Sequence, residues 1–150
     1  MNQSEFKPRK YLGQWYELLT TPEFFNSPLN YNPMADYEQI SPQLIKVTNS
    51  TINNGTPQSI QGLATYLGDY KFRVDFEPTN IPQQIPNYII DKLWTDSKNN
   101  YYAAVITNPT KTYLSLLCRT PYPSLCNYNK FIKYIQQNFG NLQLFQVTHY

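Results

Sequence analysis

Pro, Gly and Asn punctuate the chain at intervals of about ten residues between Gln14 and Arg119, and between them lie short alternating or β-rich runs. That spacing is expected of a β-sandwich or an up-and-down barrel and leaves little room for a helical bundle. The runs fall at 14–21, 34–40, 43–52, 58–67, 70–76, 87–94, 100–107 and 112–119. The clearest is Tyr70-Lys71-Phe72-Arg73-Val74-Asp75-Phe76, in which Phe72, Val74 and Phe76 share one face and Lys71, Arg73 and Asp75 the other. One face is read as interior and the other as water-facing. Asn53-Asn54-Gly55 and Leu67-Gly68-Asp69 supply residues tolerant of positive φ, and Asn108-Pro109 ends one run before Lys111 opens the next. Sequential antiparallel hairpins follow from this.

The periodicity changes after residue 126. Tyr128, Phe131, Ile132, Ile135 and Phe139 fall at helical spacing, which predicts one amphipathic helix over 127–139. Asn127 or Ser124 can cap its start, and Gly140 is placed to end it in a left-handed conformation. A last short strand is expected at 141–148.

Composition narrows the class further. A chain of 150 residues is the size of one domain and buries about two thirds of its unfolded surface. Tyr 14 and Phe 8 beside 12 Pro and 15% charged residues favour an all-β fold. With 12 Lys+Arg against 10 Asp+Glu, no basic stripe marks a nucleic-acid partner or an anionic membrane surface. No apolar run reaches the length of a membrane-spanning helix, and Met1 to Arg9 has neither an apolar core nor a small-residue cleavage site. Cys118 and Cys126 form no C-x-x-C pair and the chain holds a single His149, so no metal site is expected. Two readings of the cysteines stay open: a disulfide between them, or two thiols acting as small apolar side chains.

Gly13-Gln14-Trp15-Tyr16-Glu17, opening the first strand, resembles the G-x-W signature of lipocalins. Tyr113-Leu114-Ser115-Leu116-Leu117-Cys118-Arg119-Thr120-Pro121 is similar to the end of the last barrel strand in the bacterial lipocalin and apolipoprotein D branch. Between them Ala35-Asp36-Tyr37, Val47-Thr48-Asn49, Gly62-Leu63-Ala64, Phe72 to Phe76 and Tyr102-Ala103-Ala104-Val105 follow in that branch's order. The likeness extends over 11–148. One departure stands out: the family's middle Thr-Asp-Tyr turn is stretched here to Trp94-Thr95-Asp96-Ser97-Lys98-Asn99-Asn100-Tyr101, read as an enlarged hairpin loop.

The resemblance implies a single domain: an eight-stranded antiparallel up-and-down barrel over 11–121, an N-terminal extension at 1–10, the helix packed outside, and the final strand. A barrel open at one end must seal the other, and the indole of Trp15 laid across the base does so. Gly13 lets the chain approach closely before it turns into the strand. In the family, an arginine of the last strand stacks on that indole, and Arg119 matches it.

The same resemblance sets strand parity and hence a calyx lining: Glu17, Leu19, Ala35, Tyr37, Ile45, Val47, Gly62, Ala64, Tyr66, Phe72, Val74, Phe76, Tyr88, Ile90, Tyr102, Ala104, Tyr113, Ser115 and Leu117. Small residues among these keep room that larger ones would fill. Tyr37, Tyr66, Tyr88, Tyr102 and Tyr113 add hydroxyls to an apolar interior, which suits an amphipathic molecule. The ligand class implied is a fatty acid or lysophospholipid. Glu17 is the residue hardest to place, since a carboxylate in a dry calyx needs a partner or a proton.

Catalysis has little to recruit. His149 is penultimate, so a triad would depend on a chain end, and Cys118 has outward parity, away from any interior reaction. No cofactor is called for; a haem would require tyrosine ligation. The expectation is a carrier for a small hydrophobic or lipid-like ligand, set against a structural or interaction protein whose calyx is filled or repurposed. Monomer and homodimer both stay open. The resemblance favours a secreted or cell-envelope protein if a leader has been removed.

Overall fold

The computed structural model describes residues 5–22, 30–78 and 84–150. Helix α1 (Pro8–Tyr11) leads into strands β1 (Gly13–Thr20), β2 (Asn30–Ser41), β3 (Leu44–Asn53), β4 (Thr56–Gly68), β5 (Lys71–Asp75), β6 (Tyr88–Thr95), β7 (Tyr101–Thr107) and β8 (Leu114–Cys118). Helix α2 (Leu125–Phe139) and the two-residue strand β9 (Phe145–Gln146) complete the order. Each of the eight expected runs is a strand.

Sequential strands pair antiparallel from β2 to β8, β8 pairs with β1, and β1 pairs with β2, so the sheet closes into an eight-stranded barrel. Closure removes the sheet edges that an open sandwich would leave exposed. The turns obey their residues. Asn54 and Gly55 both take positive φ, 52° and 82°, as a tight hairpin matched to strand twist requires. At the enlarged β6–β7 loop, the Asp96 carboxylate accepts from the amides of Lys98 and Asn100 at 2.8 and 2.9 Å. Those bonds hold its pKa below the ordinary carboxylate value.

Two apolar clusters follow from strand alternation. One fills the barrel's closed half and includes Trp15, Ile45, Val47, Phe72, Ile90 and Ala104. The other lies between barrel and α2, where Ala103, Val105, Leu114, Leu116 and Cys118 meet Phe131, Ile135 and Phe139. The outer faces of β7 and β8 are apolar because the helix covers them.

Several expectations shift. The helix begins two residues early, with Ser124 rather than Asn127 as the cap: its hydroxyl accepts from the Asn127 amide at 3.1 Å. Gly140 ends it at φ −62°, right-handed, not left-handed. The final strand shrinks to β9, which pairs Leu19 with Gln146 and Thr20 with Phe145. The tail then runs on to β2, where Thr148 accepts from the Asn32 amide at 2.8 Å. Arg73, read as water-facing, is 7% exposed. It pairs with Asp75 at 2.8 Å and donates to the carbonyl of Ile85, so the chain before β6 covers this part of the outer face.

Candidate functional site

The closed end is built from the signature residues. Gly13 sits at φ +96°, and a Cβ there would meet Arg119 Nη1 at 3.4 Å. Trp15 is fully buried and its Nε1 donates to the Tyr11 carbonyl at 2.8 Å. The Arg119 guanidinium carbon lies 3.9 Å from the centre of the Trp15 ring. Its nitrogens donate to the carbonyls of Gln14 at 2.8 Å, Lys10 at 2.9 Å and Tyr101 at 3.3 Å. One side chain thus stacks on the plug and ties β1, the segment before it, and β7 together.

The N-terminal segment belongs to this seal. Phe6, ahead of the barrel in sequence, is buried inside it, stacked on Tyr101 with ring centres 5.6 Å apart and edge-on to Phe72 at 5.9 Å. Above this layer three tyrosine hydroxyls form a chain: Tyr88 meets Tyr11 at 2.5 Å and Tyr37 at 2.8 Å. Burial pushes the Tyr37 pKa up to about 12 and those of Tyr11 and Tyr88 well above their ordinary value. The hydroxyls therefore stay protonated and satisfy one another.

The open half contains a cavity of about 600 Å³. Of the expected calyx residues, Glu17, Ala35, Tyr37, Val47, Val74, Phe76, Tyr88, Tyr113, Ser115 and Leu117 line it. Ile45, Ala64, Phe72, Ile90 and Ala104, with Tyr66 partly buried against them, pack the closed half below, off the cavity wall. Gly62 faces the start of the chain after β5, where a Cβ would stand 2.7 Å from the Phe76 ring.

Leu19 and Tyr102 are corrections. Both belong to the outer cluster against α2. A bulge between Glu17 and Leu19 puts Leu19 opposite Leu116 and Thr20 opposite Ser115. Another shift in the β6–β7 pairing, between Trp94 and Thr95, sends Tyr101 inward and Tyr102 toward Phe131. Strict alternation cannot show an inserted residue, which reverses the faces beyond it.

The cavity wall also holds residues outside the expected set: Pro33, Met34, Asn49, Ser50, Ile60, Asn87, Ile106 and Asn108. Pro33, Asn49, Ile60 and Ile106 share parity with named neighbours on their own strands, so the signal was present. Met34 and Ser50 follow the shift between Tyr31 and Met34. Asn87 takes a strand's role. Its side chain accepts from the Val74 amide at 2.7 Å and donates to the Val74 carbonyl at 2.8 Å, next to the positions where β5 and β6 pair, Lys71 with Ile89 and Phe72 with Tyr88.

Inside the wall Glu17 is 5% exposed, and its Oε2 accepts a short hydrogen bond from Ser115 Oγ on the neighbouring strand. The His149 ring meets the main-chain carbonyl of Glu17 at 2.5 Å. The disulfide reading fails, because Cys118 and Cys126 are free thiols, the first buried and the second exposed. Burial raises the Cys118 pKa. Among the described residues no cluster of His, Cys, Asp and Glu could hold a metal, and no helix is long and apolar enough to cross a membrane.

A closed antiparallel barrel, plugged at one end and hollow at the other, defines the calyx class of proteins. The chain belongs to the lipocalin family: the model of the lipocalin-like domain matches residues 6–147. Temperature-induced lipocalin-1 of Arabidopsis thaliana is 31% identical over 119 residues, 74% of this chain and 61% of that protein. A protein of Acanthamoeba polyphaga mimivirus named as a lipocalin is 34% identical over 64 residues, 43% of this chain and 37% of the relative. This chain thus spans less than two thirds of either. Among solved structures, the cockroach major allergen Per a 4 superposes with a TM-score of 0.70 at 17% identity, covering 100% of this chain and 94% of that one. Apocrustacyanin C2 gives 0.65 at 15% identity, covering 95% and 79%. The siderocalin Ex-FABP gives 0.56 at 11%, covering 93% and 94%. These likenesses carry the fold.

Proposed function

We propose that this chain is a non-catalytic carrier that holds one small hydrophobic or lipid-like ligand, of the fatty acid or lysophospholipid class, in its calyx. The cavity of about 600 Å³ in the open half carries this reading. Ala35, Val47, Val74, Ile106 and Leu117 give its wall an apolar character, while Glu17, Ser115, Asn49 and Tyr113 give a few polar points, the usual make-up of a small-ligand site. One structural neighbour is described as functioning through dual ligand specificities, in keeping with a calyx built to take ligands.

A carrier needs no nucleophile, and the wall offers little to make one: neither thiol lines it, and the single His149 touches the backbone of β1. We also assign the chain to the branch resembling bacterial lipocalins and apolipoprotein D, supported by Arg119-Thr120-Pro121 following the last barrel strand.

The filled-barrel alternative draws on the closed half, which is solid with aromatic rings. Titration of a neutral fluorescent lipid probe, joined to native mass spectrometry of the protein as purified, separates the two. The carrier reading expects one saturable site displaced by unlabelled lipid. A protein that takes up no probe at micromolar concentration and carries no mass beyond its own chain overturns it.

A further inference from the structure

We propose that this chain pairs with a second copy of itself through the outer face of β3, β4 and β5, about a two-fold axis that passes through Leu63. The face lies on the side wall of the barrel, so the inference stands apart from what the calyx holds.

In the ring of eight strands, β3 and β4 stand opposite β7 and β8, whose outer side is covered by α2. On the far side the wall meets water with apolar side chains on it. Ile40 is 54% exposed, Leu63 46% and Phe76 36%, and these three line one groove together with Leu44 and Pro78. Three of the seven large apolar side chains exposed among the described residues thus fall in one place, a concentration that marks a protein contact rather than scattered surface.

The charges of the groove are ordered across it. Lys46 of β3 pairs in register with Leu63 of β4, and Leu63 with Asp75 of β5. Neighbouring strands lie about 4.8 Å apart, so Lys46 and Asp75 flank Leu63 at equal distance on its two sides. Glu77, two residues beyond Asp75, lines the same groove. One side is therefore basic, the middle apolar and the other side acidic. Among the described residues Lys46 makes no ion pair, not even with Glu38, which faces it on β2, and Glu77 makes none either. Asp75 shares its carboxylate with Arg73, which leaves Glu77 as the acid without a cation of its own.

A two-fold axis through Leu63 carries each side of this row onto the other. Leu63 then packs on its own copy, and Lys46 of each chain comes over the acidic side of the other. Such a self-complementary patch is what a closed two-fold dimer requires. The apolar middle supplies the attraction, while the exposed ion pairs set the register and add little strength. An unrelated partner would have to match the order of basic, apolar and acidic groups, whereas a second copy supplies it by symmetry.

Sedimentation velocity from about 5 μM to 1 mM tests the pairing, and the wild type should pass from monomer to dimer with a dissociation constant in the micromolar range. Leu63→Glu, which sets two carboxylates on the axis, and Lys46→Glu, which sets acid against acid, should each weaken association at least about tenfold. Leu125→Glu, at an exposed apolar position on α2, should leave it unchanged. Oxidative cross-linking locates the axis: in a Cys126→Ser background, Leu63→Cys should form a disulfide-linked dimer much faster than Gln137→Cys on α2, since only a residue at the axis meets its own copy. A wild type that stays monomeric over the whole range overturns the proposal and leaves the groove to a partner of another kind. A dimer that survives both Leu63→Glu and Lys46→Glu also overturns it, as does cross-linking at 63 no faster than at 137. If Leu63→Glu fails to fold, Lys46→Glu and the cross-linking decide.

Discussion

Trp15 works as a floor because its indole is held on the polar edge and on one face. The Nε1 donates to Tyr11 and Arg119 covers the ring, so truncation removes a large buried aromatic and strips the guanidinium of its stacking surface. Trp15→Ala should destabilise by about 3–5 kcal/mol, read from urea unfolding with unchanged slope. A loss under about 1 kcal/mol would mean the ring does not seal the barrel. Gly13, Trp15 and Arg119 were legible in the sequence because each has a property no other residue supplies: positive φ, the largest ring, a fork of donors. Glu17 was legible by its spacing from Trp15. Phe6 was not, since a lone aromatic in a polar, Pro-containing segment carries no periodicity, and its burial depends on a space that the assembled barrel creates. The Tyr11–Tyr88–Tyr37 chain was half visible: parity named Tyr37 and Tyr88, but Tyr11 comes from α1, which precedes the first strand.

Helix α2 shows how an element can be read from its pattern and still differ at its ends. Phe131, Ile135 and Phe139 are the residues it buries, as their spacing requires, whereas its start is decided by one hydroxyl. Ser124→Ala should cost about 0.5–2 kcal/mol, the usual worth of an N-cap, seen as a lower melting temperature with the far-UV spectrum retained. Strands were legible wherever alternation ran unbroken, as in β3, whose pairing with β4 is continuous from Leu44 to Asn53. They failed at the shifts in β1 and β7, where one extra residue turns Leu19 and Tyr102 outward. No local signal marks these positions, because Leu and Tyr serve equally well against a helix or inside a barrel. The extent of β9 was equally hidden: Leu142 and Leu144 alternate as a strand would, but they pack on the α2 cluster.

Over the whole molecule, the three buried tyrosines joined through their hydroxyls make stability depend on alkaline pH. Each loses its proton near 10 when unfolded, while in the fold burial holds Tyr37 to about 12 and Tyr11 and Tyr88 higher than usual. Their folded pKa values are raised, so the contribution is fully present below pH 10 and is lost as pH rises toward the folded values. Unfolding free energy should be flat through neutrality and then fall by about 1.4 kcal/mol per pH unit for each of the three that remains protonated. Denaturation followed across this range, with phenolate absorbance recorded in parallel, checks it. Ionisation of all the tyrosines before any loss of structure would contradict the buried chain.

The division of the barrel into a solid lower half and a hollow upper half makes a paired substitution decisive. Val74 lines the cavity, and its own amide and carbonyl are fixed by Asn87, so a larger side chain there has room and a stable backbone. Val74→Trp should fill the void, reduce probe affinity by at least about tenfold, and leave stability within about 1 kcal/mol, because the added ring occupies space already present. Ala104 faces the same interior one level down, but it is fully buried in the closed-half cluster. Ala104→Trp there overpacks a filled region and should cost about 1–3 kcal/mol or more. If the upper half were filled as well, both variants would lose stability alike and neither would have binding to lose. Melting temperature and probe affinity measured on the pair therefore locate the cavity in the barrel as well as detect it.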